Sequence, residues 1–576
     1  MKHIKRFAST ALAVALVAAM PMTAFAAPDG TVDGADGTES AVTADGGLTV
    51  DESISVTGLQ AGDKLDFYQV LAWDNGWVPV NGFGDVLTED ELKALVNGKV
   101  VTHEDGSETT EAGGITFEVA GKLGGVAATA AKAYEGVLAA DGSVMIDGPA
   151  AGLYMAIITP GQPGYSYNPV FVAADFSRAN NNGVADLSEG ALGYADKGRA
   201  KVNKIGLDKT ADSITSDIGD TVQFTVVTSI PLYASNYTKP VFKLTDVLSK
   251  GLTLDGDSIK VMAGGAEVTD YDKSLNEDGS GYVLDFHEAY LRSLESVTEI
   301  TVTYSAKVTD MDTTSINPED NTVTVNFSNR PDDETGFGVL RDRTNHYTFD
   351  IDGALFGEND YTASEVVKVG VDANGNEITD HVTLDNGKWA GALAGAKFTL
   401  YADESLETVY KNDLFDGTEI VSGEKGHITM KGLDEGSYWL VETEAPAGYI
   451  KAQDPVRIDI VTEKDTVTVT DQEEVDGQMV DVVYNVDVLT SYKILVNNIE
   501  TASYTLVNQG ADVIEVNKGD NVGGESMDGK IVNTVGVELP STGGIGTTIF
   551  YIVGAGMVVG AGVLMVAKKR VGKRED

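Results

Sequence analysis

The sequence predicts an all-β protein of tandem antiparallel β-sandwiches, with an apolar segment at each end that stands apart from the fold. Three observations carry this. Short alternating runs recur along the chain; in the clearest, Ile300, Val302, Tyr304, Ala306 and Val308 occupy every second position. That period marks a strand buried on one face. The 65 glycines, with frequent Thr and Val, fit many short strands joined by tight turns. At 576 residues the chain has room for three or four domains.

Lys2, Lys5 and Arg6 precede a short apolar stretch, Phe7 to Met20, and an A-x-A site at Ala24-Phe25-Ala26. Residues 1–26 are therefore a secretory signal peptide with no part in the fold. Residues 27–47, rich in Gly, Asp, Thr and Ala, form a flexible leader. A first domain covers 48–195. Its strand-like pieces are Lys64–Ala72, Gly114–Val119, Leu153–Thr159 and Pro169–Ala174. Thr88 to Glu91 is a capping box that opens a helix over Leu92, Leu95 and Val96, stopped by Asn97-Gly98. A second helix is expected in the alanine-rich stretch Val126 to Ala139.

Asp196 to Lys204 is a polar, basic connector. A second domain covers 205–335. It alternates through Val222, Phe224 and Val226, continues at Val241–Leu244, shows its clearest strand at Ile300–Val308, and closes with Val323 and Val325. A third covers 344–535, with short β-rich pieces at Val366–Val371, Ala396–Tyr401, Tyr438–Glu442, Val456–Val461 and Thr466–Thr470. Strand length, alternation and turn spacing make the second and third domains antiparallel sandwiches.

Composition narrows the function. A secreted chain with no cysteine has no disulfides, so covalent reinforcement requires other chemistry. The net charge of −48 argues against nucleic acid and anionic membrane surfaces as partners. No metal-ligand spacing, phosphate loop or G-x-S-x-G motif is present, so no metal, cofactor or turnover enzyme is expected. Asp372-Ala373-Asn374-Gly375-Asn376 lacks the glycine position and closing glutamate of a calcium loop and suits a polar hairpin turn.

Residues 539–576 hold three parts in register. Leu539-Pro540-Ser541-Thr542-Gly543 is followed by an uncharged apolar run, Ile545 to Ala567, and by Lys568-Lys569-Arg570 and Lys573-Arg574. The run is long enough for a helix to cross a hydrocarbon layer of about 30 Å, and the basic cluster belongs on the cytoplasmic side. This order resembles the LPXTG cell-wall sorting signal of Gram-positive surface proteins. The resemblance implies that a sortase attacks the Thr542 carbonyl, releases everything from Gly543 onward, and joins the new carboxyl to an amine. The membrane span is then a temporary hold, and the secreted chain ends covalently attached to the cell wall.

Two further stretches carry a resemblance. Gly395-Ala396-Lys397-Phe398-Thr399-Leu400-Tyr401 and Leu440-Val441-Glu442-Thr443-Glu444-Ala445-Pro446-Ala447-Gly448-Tyr449 look like the B-type immunoglobulin-like domain of Gram-positive adhesins and pilins, the second as its E-box. By resemblance, Lys368 and Asn533 join as an isopeptide with Glu442 as catalyst. The second domain resembles the isopeptide-forming fimbrial domain of the same pilins, through Gly206-Leu207-Asp208-Lys209-Thr210, Leu244-Thr245-Asp246-Val247-Leu248 and Asn321-Thr322-Val323-Thr324-Val325. The resemblance makes Lys209 the nucleophile, Asp246 the catalyst and Asn321 the electrophile, with Asn326 and Asn329 as weaker candidates for the last role. The chemistry is coherent. Burial lowers a lysine pKa and raises a carboxyl pKa, so a neutral amine meets a neutral acid that polarises the Asn carbonyl as ammonia leaves. The first and last strands of such a sandwich are expected side by side. The first domain shows no comparable set; Lys64 and Glu118, on strand-like pieces, suit plain surface positions.

The resemblance as a whole implies a sortase-assembled pilin: tandem immunoglobulin-like domains in a rod, forming the fimbrial shaft and supporting cell adhesion. Its expected partners are sortase, neighbouring pilin subunits and peptidoglycan. The acceptor lysine of such pilins lies before the second domain, often in a YPKN-like motif. This chain departs from it with Tyr194-Ala195-Asp196-Lys197, so Lys197, Lys201 and Lys204 are all candidates. The alternative is a wall-anchored adhesin or minor pilin that binds a host ligand without forming the shaft.

Overall fold

A computed structural model describes residues 50–536, apart from 51–52, 98, 103–107, 112–114, 177–191, 193, 234–236, 238, 310–318, 333–336, 353–364, 379–390, 415, 476–477, 509–513 and 522–528, together with positions 557, 561 and 565. The signal peptide, the leader to residue 47 and the LPSTG motif lie outside the described residues. Within the Ile545–Ala567 run only Met557, Ala561 and Met565 are described, all three helical. No helix among the described residues is long and apolar enough to cross a membrane.

The described residues are predominantly β. In the first unit the Gly152–Thr159 strand lies between Val170–Ala174 and Lys64–Trp73. Its residues are buried on both faces. Tyr154, Ala156 and Ile158 join a core with Leu65 and Phe67. Leu153, Met155 and Ile157 join a second core that the helices complete. A strand covered on both sides needs no alternation, which explains its continuous apolar run.

The capping box at Thr88 forms as expected. The Thr88 amide donates to Glu91 Oε2 at 2.7 Å, and the Glu91 amide donates to Thr88 Oγ1 at 3.2 Å. The second helix lies upstream of its expected place, at Phe117–Ala127. Thr116 caps it by accepting from the Val119 amide. Val119, Ala120, Leu123 and Ala127 are buried at helical spacing and outweigh the alanine content further on. Tyr134–Leu138 is instead a strand paired with Lys64–Trp73. Glu118 accordingly lies on a helix, not a strand, and is exposed. The expected connector is also structured. Lys197–Arg199 pairs in parallel with Ser53–Thr57, and Val202–Lys204 pairs antiparallel with Tyr165–Tyr167.

The second unit is a sandwich of two five-stranded sheets. One runs Leu207–Ala211, Thr221–Ile230, Thr298–Val308, Leu252–Ala263, Ala266–Glu267; the other runs Tyr271–Leu275, Gly281–Phe286, Phe242–Leu248, Glu319–Ser328, Phe337–His346. Val222, Phe224 and Val226 from the first meet Leu244, Val325 and Phe327 from the second. The strands of Lys209 and Asn321 therefore belong to facing sheets rather than lying side by side. The Phe337–His346 strand falls beyond the expected boundary at 335, yet it pairs with Glu319–Ser328 over its whole length. Its Arg341-Asp342-Arg343-Thr344-Asn345-His346 run is too polar to look like a buried strand.

That polar run is covered by the third unit. The short pieces at 456 and 466 are one strand, Val456–Val475, in a long hairpin with Gln478–Val496 and a register shift at Glu463/Lys464. The hairpin's outer half lies against the Phe337–His346 strand. Arg341 reaches Asp471 and Glu473 across this contact. The hairpin belongs to a seven-stranded sheet, and Lys368–Val371, Ile531–Val535 and Tyr449–Ile450 form a separate three-stranded sheet.

Both joints are built from specific bonds. At the first, Arg330 donates to Thr159 Oγ1 at 2.6 Å and to Asp332, and approaches Asp66 at 3.4 Å. At the second, the Ile218 amide donates to the Gly432 carbonyl at 3.0 Å, and the Tyr410 hydroxyl donates to Asp217 Oδ1 at 2.5 Å.

Candidate functional site

Two sealed polar clusters stand out, one in each of the last two units. In the second unit, Lys209 sits on the first strand with its side chain wholly buried. Asp246, on Phe242–Leu248, and Asn321, on Glu319–Ser328, are also fully buried. All three occupy positions that alternation points inward. Lys209 Nζ donates to Asp246 Oδ1 and Oδ2 at 2.8 Å each and to Asn321 Oδ1 at 2.6 Å. The Phe224 and Tyr304 rings flank the amine, with centroids 5.7 and 5.5 Å away. Burial pushes the Lys209 pKa below the ordinary lysine value, against the pull of Asp246. Asn326 is paired opposite Lys243 on the outward face of its strand, and Asn329 lies beyond the strand end, so neither takes this place.

Three residues at this site were not singled out from sequence. The Tyr304 hydroxyl donates to Asp246 Oδ2 at 2.9 Å and accepts from Lys209 Nζ at 2.8 Å and Asn321 Nδ2 at 2.7 Å. The Tyr282 hydroxyl donates to Asp246 Oδ2 at 3.3 Å. Burial, with the Asp246 charge second, holds both hydroxyls well above the ordinary tyrosine pKa. Asp342 accepts from the Lys209 backbone amide at 2.6 Å, and burial raises its pKa to about 7. Tyr304 carried a usable signal: a hydroxyl among the inward positions Ile300, Val302, Ala306 and Val308, which are otherwise apolar.

In the third unit, Lys368 and Asn533 lie on neighbouring parallel strands, with Lys368 opposite Ile531 and Gly370 opposite Asn533. Glu442 comes from the Gly436–Glu444 strand of the other sheet. All three are buried. Lys368 Nζ is 3.3 Å from Glu442 Oε1, and Asn533 Nδ2 donates to Glu442 Oε2 at 2.7 Å and to the Ile450 carbonyl at 2.9 Å. The Ala452 amide also donates to Glu442 Oε2, at 2.6 Å. Burial pushes the Lys368 pKa down to about 8, opposed by Glu442. Lys368 Nζ, Glu442 Oε1 and Asn533 Oδ1 are buried with no hydrogen-bond partner among the described residues. The amine and the acid are thus held as a buried ion pair beside an amide whose oxygen has no hydrogen bond.

The remaining expected residues are apart from these clusters. Lys197, Lys201 and Lys204 are exposed on the Lys197–Lys204 segment, with Lys197 opposite Ser55 and Lys204 opposite Tyr165. Lys64 is exposed at the head of its strand. Leu539, Pro540, Ser541, Thr542 and Gly543 lie outside the described residues.

Three family models match the chain. A Gram-positive pilin backbone subunit domain, Cna-B-like, matches residues 218–331; a prealbumin-like fold domain matches 382–474; an LPXTG cell-wall anchor motif matches 531–573. The trypsin-resistant surface T6 protein of Streptococcus pyogenes serotype M6 is 22% identical over 481 residues, covering 74% of this chain and 81% of the relative. Among solved structures, the T6 backbone pilin of serotype M6 S. pyogenes, a modular three-domain protein, aligns with TM-score 0.52 at 16% identity, over 85% of this chain and 99% of that one. The full-length major pilin SpaD of Corynebacterium diphtheriae aligns with TM-score 0.41 at 19% identity, over 69% and 88%. The chain thus carries, in this order, a domain of the Gram-positive pilin-backbone type, a prealbumin-like domain and an LPXTG cell-wall anchor motif.

Proposed function

We propose that this chain is a sortase-assembled backbone pilin of Gram-positive type, a shaft subunit held at the cell wall that reinforces itself with two internal isopeptide bonds, Lys209 to Asn321 and Lys368 to Asn533. The observation that carries the reading is the buried contact of Lys209 Nζ with Asn321 Oδ1, at 2.6 Å, beside a buried carboxylate. Asp246 and Glu442 are the acids. Each takes a proton from its lysine, leaving a neutral amine that attacks the Asn side-chain carbon. The carbon–nitrogen bond to the amide nitrogen breaks, and that nitrogen leaves as ammonia. Holding the groups in contact supplies roughly 7–11 kcal/mol of the barrier reduction when alignment is good. Each bond forms once, so the chemistry is maturation, not turnover. Both bonds tie an early strand of a sandwich to a late one, which suits a fibre under tension.

The test is the intact mass of the secreted chain, residues 27–542, made without sortase. Loss of two ammonia masses, reduced to one by Glu442→Ala or by Asp246→Ala, supports both bonds. An unshifted mass removes the covalent mechanism. Lys197, Lys201 and Lys204 remain the proposed acceptors for the Thr542 carboxyl of the neighbouring subunit. Replacing each by Arg in a sortase coupling assay identifies the acceptor by loss of the polymer ladder. A ladder that survives all three changes places the acceptor elsewhere. No feature among the described residues favours the host-ligand-binding alternative.

A further inference from the structure

We propose that Tyr304 is a catalytic residue of the second-unit bond, relaying a proton from Asp246 to the departing nitrogen of Asn321. This rests on the isopeptide reading above. The argument comes from a difference between the two clusters. In the third unit the longer carboxylate touches the leaving nitrogen itself, with Asn533 Nδ2 on Glu442 Oε2 at 2.7 Å. In the second unit the acid is one methylene shorter, and its contacts are with Lys209, Tyr282 and Tyr304. The Asn321 Nδ2 group bonds instead to the Tyr304 hydroxyl at 2.7 Å, and that hydroxyl bonds to Asp246 Oδ2 at 2.9 Å. The tyrosine thus spans the gap that glutamate closes alone. Its hydroxyl also contacts Lys209 Nζ at 2.8 Å, so it touches both reacting nitrogens and the acid.

The proton balance closes. Asp246 takes a proton from the Lys209 ammonium, and the neutral amine attacks Asn321 Cγ. As the Cγ–Nδ2 bond breaks, Tyr304 gives its hydroxyl proton to Nδ2 and takes the proton of the Asp246 carboxylic acid. The Asp246 carboxylate then accepts the surplus proton of the new amide nitrogen. Ammonia leaves, and Tyr304 and Asp246 end protonated. Tyr304 is never left as a phenolate, in keeping with a buried hydroxyl held well above its ordinary pKa. Tyr282, 3.3 Å from Asp246 Oδ2, has no bond to Asn321 and serves as the internal comparison.

The experiment is a time course of cell-free synthesis of the full chain, following the linked Lys209–Asn321 peptides by mass after proteolysis. Tyr304→Phe is expected to slow bond formation about 100-fold, the scale of a lost general acid, while Tyr282→Phe stays near the wild-type rate. Asp246→Glu placed in the Tyr304→Phe chain is expected to recover part of the rate, because the longer acid reaches Nδ2 directly. A wild-type rate in Tyr304→Phe, equal slowing in Tyr282→Phe, or no recovery with the longer acid overturns the relay. Absence of linked peptide from the wild type removes the isopeptide reading itself, a result distinct from these. Should Tyr304→Phe fail to fold, 3-fluorotyrosine at position 304 alone keeps the ring and hydroxyl but lowers its pKa; an unchanged rate there overturns the proposal.

Discussion

Lys368 and Asn533 occupy adjacent parallel strands two register positions apart, so both side chains project to the same face of a three-stranded sheet. Residues 165 apart in sequence are neighbours there only because the third unit returns its last strand beside an early one. Glu442 completes the cluster from the facing sheet. If this is a bond-forming site, Glu442→Gln, which keeps shape but not acidity, leaves the third unit one ammonia mass heavier and the second unit unaffected. Intact mass and peptide mapping read both at once.

The amine of Lys368 has its pKa pushed down to about 8 by burial. Before linkage the folded state therefore binds fewer protons than the unfolded state between about pH 8 and the free lysine value near 10.4. Unlinked stability should rise with pH across that window and carry the full burial penalty below it. Asn533→Ala, which cannot link, is the protein in which to measure it. A denaturation midpoint that is flat across the window contradicts the assignment.

Asp342 has the opposite consequence. Burial raises its pKa to about 7, so between about pH 4 and 7 the folded state holds a proton that the unfolded state has lost. This group makes stability fall as pH rises through that range, with the full penalty above it. Asp342→Asn keeps an oxygen to accept the Lys209 amide and should remove that part of the slope. Thermal unfolding of both chains from pH 4 to 8 provides the check.

Removing one partner of the Lys209–Asp246 pair should cost more than removing the bond. Asn321→Ala prevents linkage and gives up about 4.7 kcal/mol of chain entropy, by analogy with a disulfide that closes a loop of similar length. Lys209→Ala loses the same bond and also leaves a fully buried carboxylate unpaired, a further cost of about 3–5 kcal/mol. Denaturant midpoints that fall in the reverse order would contradict the pairing.

Arg330 bridges the first two units through Asp66 and Thr159 while pairing with Asp332 of its own unit, and the Asp66 and Asp332 side chains are 8% and 5% exposed. Arg330→Ala should weaken that joint by about 2 kcal/mol, the low end for a truncated buried charge pair, because Asp332 loses its cation while Asp66 keeps Lys132 at 3.0 Å. Faster proteolytic cleavage between the first two units, with the second sandwich still intact, is the expected result.

Some of this was legible because it is local. Thr88 and Glu91 announce a helix start within four residues, and Val222, Phe224 and Val226 announce a core face within five. Local signals also misled. The alanines after Val126 suggested a helix where Tyr134–Leu138 pairs as a strand, because pairing with Lys64–Trp73 outweighs propensity. The polar Phe337–His346 run hid a buried strand, because the hairpin that covers it comes more than a hundred residues later.

The sequence by itself pointed to an all-β chain with a wall-anchor motif, and its motifs, through the family resemblance they carry, to the lysines, acids and asparagines worth watching. Those properties follow from composition, period and motif, all carried by neighbouring residues. Only the tertiary structure decided that Lys209 and Asn321 face each other across two sheets, that the long hairpin braces the second sandwich, and that Tyr304 stands between acid and amide. Lys209 and Tyr304 are 95 positions apart, and Lys209 and Asn321 are 112 apart. Which side chains meet over such separations is set by sheet order and register, and no local pattern encodes them.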